Sequence, residues 1–197
     1  VHNLICGDNI SSKCLRVKLA GYLHDVGKIE SVYDPETKRI SFKHHEKIGS
    51  RLVKNELKEL KFPNNDIEYI SNLISLHMRE FSSPKAIRRI LRDCEEKKID
   101  VRDVIRLRLA DRKANLRRER FSIFDVKEIV RKVEEEINRE SPSKFGDLNI
   151  NGNEIMRLTG EKPGPYIGEI LKFLLDIVTD EPMLNNYESL KQLTLRI

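Results

Sequence analysis

Leu19-Ala20-Gly21-Tyr22-Leu23-His24-Asp25-Val26-Gly27-Lys28 is the stretch on which the reading of this chain turns. It closes a segment, 14–26, whose apolar residues recur at helical spacing and stop at Gly27. Adjacent side chains on a helix point about 100° apart. His24 and Asp25 nevertheless reach one point if it lies off the helix end, where Gly27 lets the backbone turn away. Outward from this pair the periodicity stays helical. Residues 31–41 read as a loop turning at Asp34-Pro35. Helices are expected over 42–60, from a cap at Asn64 or Asn65 to about residue 79, and from Ser82-Ser83-Pro84 to about residue 97. Two more are expected over 100–119 and 125–139, and the one extended piece over 148–150. The fold class is all-α.

All five histidines fall in the first 77 residues, and the direction each faces is informative. On the helix over 42–60, His45 shares the apolar stripe of Phe42, Ile48 and Leu52, whereas His44 falls with Lys47 and Arg51 on the polar side. His77 lies within the stripe Ile70, Leu73, Ile74, Met78. Asp111 lies within the stripe Val104, Leu107, Ala114. An inward histidine is commonly a hydrogen-bonded core residue. An inward carboxylate without a partner costs several kcal/mol or titrates to its neutral form. An aspartate and several histidines converging on one interior are most simply reconciled by a metal ion.

The order His2, His24-Asp25, His45, His77, Asp111 resembles the HD-domain superfamily of metal-dependent phosphohydrolases, over residues 1–121. The resemblance implies an all-α helical bundle in which His2, His24, Asp25 and Asp111 bind a divalent metal. It places His45 and His77 where members with more ligands hold a second ion or a substrate phosphate. Mixed imidazole and carboxylate ligation suits Mn, Ni, Co, Fe or Zn better than a Mg-only cage.

A second resemblance lies in the tail. The stretch Gly146-Asp147-Leu148-Asn149-Ile150-Asn151-Gly152-Asn153-Glu154-Ile155-Met156, followed by Lys162-Pro163-Gly164-Pro165-Tyr166-Ile167-Gly168-Glu169-Ile170-Leu171, is similar to the C-terminal segment of bacterial tRNA nucleotidyltransferases, the CCA-adding and poly(A) polymerase family. That similarity implies contact with tRNA. The turn Pro163-Gly164-Pro165 precedes an amphipathic helix with Ile167, Ile170, Leu171, Leu174 and Val178 on its apolar side. Ser141-Pro142-Ser143 to Gly146 is the most linker-like stretch, so the expected divisions are 1–121 (metal-binding domain), 122–146 (connecting helix and linker) and 147–197 (small C-terminal helical module). The family's nucleotidyl-transfer head needs a paired Asp-x-Asp that holds two metals. These 197 residues contain no Asp-x-Asp, so nucleotide addition by this chain alone is not expected.

Composition limits the alternatives. Hydrophobic residues make up 39% and charged residues 35% of 197, enough for a core under a heavily charged surface. No apolar run approaches the roughly 18 residues of a membrane span. No export signal is expected from residues 1–10, and the sequence opens on Val rather than Met, which leaves room for an upstream segment. Three cysteines without close spacing suit a reducing cytoplasm. The net charge is +5, but residues 85–120 carry 14 Lys and Arg against 7 Asp and Glu, a local +7. Such a run suits a phosphate-rich partner, or equally a helix face laced with ion pairs.

Two functions follow. One is a divalent-metal-dependent phosphohydrolase acting on nucleotide or RNA phosphoesters, with His24, Asp25 and Lys28 in catalytic roles. The alternative is the non-catalytic tRNA-binding body and tail of a CCA-adding enzyme or poly(A) polymerase. Its RNA-binding candidates are Arg102, Arg106, Arg112, Lys113, Arg117, Arg118, Lys162 and Gly164.

Overall fold

Helical spacing of the apolar residues becomes ten α-helices among the described residues, which in this computed structural model are 1–11, 13–35, 38–115, 122–139, 142 and 144–197. They are α1 His2–Asp8, α2 Leu15–Leu23, α3 His45–Glu59, α4 Asn64–Leu76, α5 Pro84–Lys97, α6 Val101–Ala114, α7 Ile123–Asn138, α8 Gly152–Thr159, α9 Pro165–Asp180 and α10 Tyr187–Thr194. The all-α class holds. The chain divides into two compact units, Val1–Arg79 with Cys94–Lys127, and Glu80–Asp93 with Glu128–Ile197.

Several boundaries differ from those expected. The helix from Leu15 ends at Leu23, before Gly27. His24 is its C-cap, and a 3-10 helix, Val26–Glu30, takes over. The helix expected from Phe42 begins at His45, because His44 adopts a left-handed conformation (φ 61°) that no α-helix continues through. The next helix ends at Leu76, so Met78, expected inside, is 47% exposed. The helix expected to reach residue 119 ends at Ala114, and 116–121 lie outside the described residues. Residues 148–150 are bends. Among the described residues the strands are elsewhere, β1 Val32–Asp34 and β2 Arg39–Ser41, paired antiparallel in register Val32 to Ser41. Three residues per strand are too few for alternation to register in a sequence.

In the first unit, α1 packs on α2 and α6, α2 on α4, and α3 on α4 and the 3-10 helix. Glycines set two of these approaches. A Cβ on Gly21 would come 3.1 Å from the Gly7 Cα, so α1 and α2 meet nearly backbone to backbone. Lys18 reinforces that contact, its ammonium donating to the carbonyls of Gly7 (3.1 Å) and Ile10 (3.3 Å) at the end of α1. A Cβ on Gly27 would fall 2.1 Å from the His45 carbonyl oxygen and 2.5 Å from the Gly49 nitrogen. Only glycine lets the 3-10 helix lie on the first turn of α3. The core below is aliphatic, with Val17, Ile70, Leu73, Ile74, Val104 and Leu107 each at most 2% exposed.

The second unit forms around α8, α9 and α10. Asn151 caps α8 reciprocally with Glu154, and Pro165 occupies the first turn of α9. Ile155, Ile167, Ile170, Leu174, Val178 and Leu190 make its core. Arg88 of α5 ties this unit together. Its guanidinium donates to the Thr179 carbonyl at 2.7 Å, the Asp180 carbonyl at 2.6 Å and Glu136 of α7 at 2.9 Å. Two of those acceptors are C-terminal carbonyls of α9, which lack helical partners.

Gly27→Ala is expected to cost about 1–3 kcal/mol of folding stability through overpacking against α3. Gly146→Ala is the matched control, since its Cβ meets nothing within 4 Å, and its change stays within about 0.5 kcal/mol. Denaturant unfolding of both variants checks the pair.

Candidate metal centre

Five helices bring one polar side chain or pair each to a common interior in the first unit. His2 comes from α1, His24 and Asp25 from the end of α2, His45 from the start of α3, His77 from the C-cap of α4, and Asp111 from α6. His24, His45 and His77 are buried. His44 points outward with its side chain 71% exposed.

Three of the histidines share one device. His24 Nδ1 donates to the Gly21 carbonyl at 2.9 Å, His45 Nδ1 to the Phe42 carbonyl at 2.8 Å, and His77 Nδ1 to the Ile74 carbonyl at 2.8 Å. Each bond reaches back three residues and leaves Nε2 facing the interior. Metal-binding histidines are oriented in this way, because the donated Nδ1 proton settles the tautomer and makes Nε2 more basic.

The Nε2 atoms surround Asp25. Its Oδ2 lies 3.5 Å from His24 Nε2 and 3.8 Å from His2 Nε2, while its Oδ1 lies 3.3 Å from His45 Nε2 and 3.8 Å from His77 Nε2. Asp111 Oδ1 closes the first group, 2.9 Å from His2 Nε2 and 3.5 Å from His24 Nε2. His45 and His77 Nε2 approach each other at 3.2 Å. Ligand atoms of His2, His24 and Asp111 lie within 4.8 Å of one another, as do those of His24, Asp25 and His77.

Charge and burial pull against each other here. Burial alone would push the His24 imidazole down, but Asp111, the Cys6 thiol and Asp25 outweigh it and hold His24 at about 10. Burial would raise both aspartates. His24 and Lys28 beside Asp25, and His24, Arg108 and His2 around Asp111, instead keep both carboxyls below the usual carboxylate range. Burial, aided by the charge of His24 and opposed by the bond to Ile74, pushes His77 down to about 4. Both carboxylates are thus ionised with cationic neighbours already facing them. The His24 Nε2, buried and without a hydrogen-bond partner, becomes a donor atom for a metal ion once its proton is displaced. The residues present fit a divalent ion of the Zn, Mn, Fe, Co or Ni kind.

Other expected site residues lie elsewhere in role. Lys28 Nζ is 2.5 Å from Asp25 Oδ2, so it is paired within the centre. Arg102 pairs with Asp100 at 2.9 Å and Arg106 with Asp103, both on the surface of α6. Lys113, Lys162 and Gly164 are exposed, Arg112 is half-buried, and Arg117 and Arg118 lie outside the described residues. Much of the +7 run is matched by carboxylates. In the second unit Lys85 and Arg89 meet Asp180, Arg92 meets Asp176 and Arg88 meets Glu136. The sequence reading missed Cys6 beside His24, and Arg108, 3.5 Å from Asp111 Oδ2. Arg108 had a signal in its spacing, three residues before Asp111 on a helix. Cys6 had none.

Comparison with known proteins places the chain. Residues 41–193 match the family described as "tRNA nucleotidyltransferase domain 2 putative". The A-adding tRNA nucleotidyltransferase of Deinococcus radiodurans is 33% identical over 168 residues, 82% of this chain and 37% of that protein. The CC-adding tRNA nucleotidyltransferase of Thermus thermophilus is 31% identical over 164 residues, 82% of this chain and 36% of that protein. The CCA-adding enzyme of Staphylococcus haemolyticus is 27% identical over 187 residues, 90% of this chain and 45% of that protein. The chain thus spans less than half the length of these curated relatives. No solved structure matches it at a significant level. These relatives are nucleotidyltransferases, and that overturns the expectation of a phosphohydrolase.

Asp25→Ala and His24→Ala are expected to weaken binding of Zn²⁺ or Mn²⁺ on the order of a hundredfold or more while helical circular dichroism survives. His45→Ala weakens it and His44→Ala leaves it unchanged. Elemental analysis after dialysis checks all four, and wild-type metal content in Asp25→Ala would remove the assignment.

Proposed function

The chain belongs to the tRNA nucleotidyltransferase family, and from that premise we propose that it is the tRNA-holding body and tail of such an enzyme, not the part that adds nucleotides. The observation that carries this reading is the family match over 41–193, from β2 to α10, in a sequence without Asp-x-Asp. Two-metal nucleotidyl transfer needs carboxylates paired at that spacing or its equivalent. The substrate class is named in two of the relatives, an A-adding and a CC-adding tRNA nucleotidyltransferase.

The first unit we read as an HD-type helical domain without hydrolytic activity, holding a divalent ion at His2, His24, Asp25 and Asp111. His45, His77 and Asp25 Oδ1 offer a second set of donors. The ion would cross-link helices that are distant in sequence, α1, α2 and α6, and supply a fixed positive charge. Residues 147–197 we read as the RNA-contacting tail. Its exposed Lys162 and the turn before α9 lie in the stretch that resembles the tail of the family, and Lys113 offers a basic residue on the first unit.

The chain is expected to bind folded tRNA more tightly than a single strand of equal length. Affinity should fall with salt at a logarithmic slope of roughly 0.7–0.9 per phosphate contacted. Because Arg102 and Arg106 already face carboxylates, neutralising them should change affinity less than Lys113→Ala or Lys162→Ala. Salt-series titration with tRNA, a single strand and heparin checks this. Equal affinity for all three would reduce the surface to generic electrostatics, and no binding at low salt would reject the reading.

A further inference from the structure

Asp25 is almost enclosed, its side chain 10% exposed, and its two oxygens face different histidines. The oxygen turned to His2 and His24 also accepts from Lys28, whose ammonium lies 2.5 Å away. Lys28 is 40% exposed and belongs to the 3-10 helix Val26–Glu30, which Gly27 presses onto α3. The same ammonium already lies over the Phe42 ring, 5.8 Å from its centroid, so a cation–π contact is at hand to hold it when it leaves Asp25. Phe42 directly follows β2 and holds His45 through its carbonyl.

We infer that Lys28 is the resident counter-cation of Asp25, and that a divalent ion entering among His2, His24 and Asp111 competes with it for Asp25 Oδ2. The inference rests on the metal reading proposed above and goes beyond it. An ammonium and a divalent ion on one carboxylate oxygen repel strongly at contact distance in a partly buried site. Loading therefore moves the ammonium off Oδ2 toward Phe42. Lys28 stabilises the ion-free protein and weakens ion binding, two effects of one charge. A surface lysine, or a merely structural one, would have no effect of opposite sign on the two states.

The test uses the full 197-residue chain, Zn²⁺ and Mn²⁺ as probes, and the variants Lys28→Met and Lys28→Arg. Affinity is read by calorimetry with a competing chelator, and thermal midpoints are recorded in excess chelator and at saturating ion. Lys28→Met is expected to bind the ion about tenfold more tightly, through relief of the charge repulsion. Its midpoint falls by about 2–4 °C in chelator but not at saturating ion. Lys28→Arg keeps the charge and binds no more tightly than wild type. Hydrogen exchange over 26–42 changes on loading in wild type and less in Lys28→Met. If wild type binds the ion, Asp25→Ala abolishes binding and Lys28→Met leaves affinity unchanged or lower, the inference falls while the metal reading stands. If wild type binds neither ion, both fall.

Discussion

One carboxylate organises the first unit. Asp25 shows one oxygen to His2 and His24 and the other to His45 and His77, so a single side chain is shared by residues from four helices. Its position depends on backbone geometry more than on side-chain packing. The 3-10 helix that follows it rests on α3 only because residue 27 is glycine. The three Nδ1 bonds to carbonyls then fix the imidazoles, which would limit the ordering that binding of an ion must impose.

The second unit solves a different problem with similar means. The last carbonyls of α9 have no helical donors, and Arg88 supplies them while pairing with the buried Glu136. A buried ion pair of this kind is costly to break from one side. The arginines of α5 that raised the charge count are therefore largely structural. Net charge over a sequence window does not distinguish a cation offered to phosphate from one closed on a neighbouring helix.

A constellation of metal ligands identifies what a site can hold, and not the reaction of the protein that carries it. The His-Asp pattern resembled a hydrolase family, whereas the relatives that match over most of the chain are nucleotidyltransferases. The same ligands are compatible with an ion that joins helices.

Much was legible from the sequence alone. Helical periodicity determined the all-α class. The apolar stripes placed His45 inward and His44 outward, and the aliphatic face of α9 ran through Ile167, Ile170, Leu174 and Val178, all at most 7% exposed. These are properties of spacing along one helix, and they survive without knowledge of neighbours. Tertiary structure decided the rest. The pairing of 32–34 with 39–41, the left-handed His44 and the end of α2 at Leu23 belong to segments too short to leave a periodic trace. The pairing of Lys28 with Asp25, and of the α5 cations with Asp176 and Asp180, joins residues whose distance in sequence ranges from three to more than ninety. Periodicity reports which face of a helix is buried. It carries no information about which charge on another helix that face will meet, because partner choice is fixed only when the helices pack.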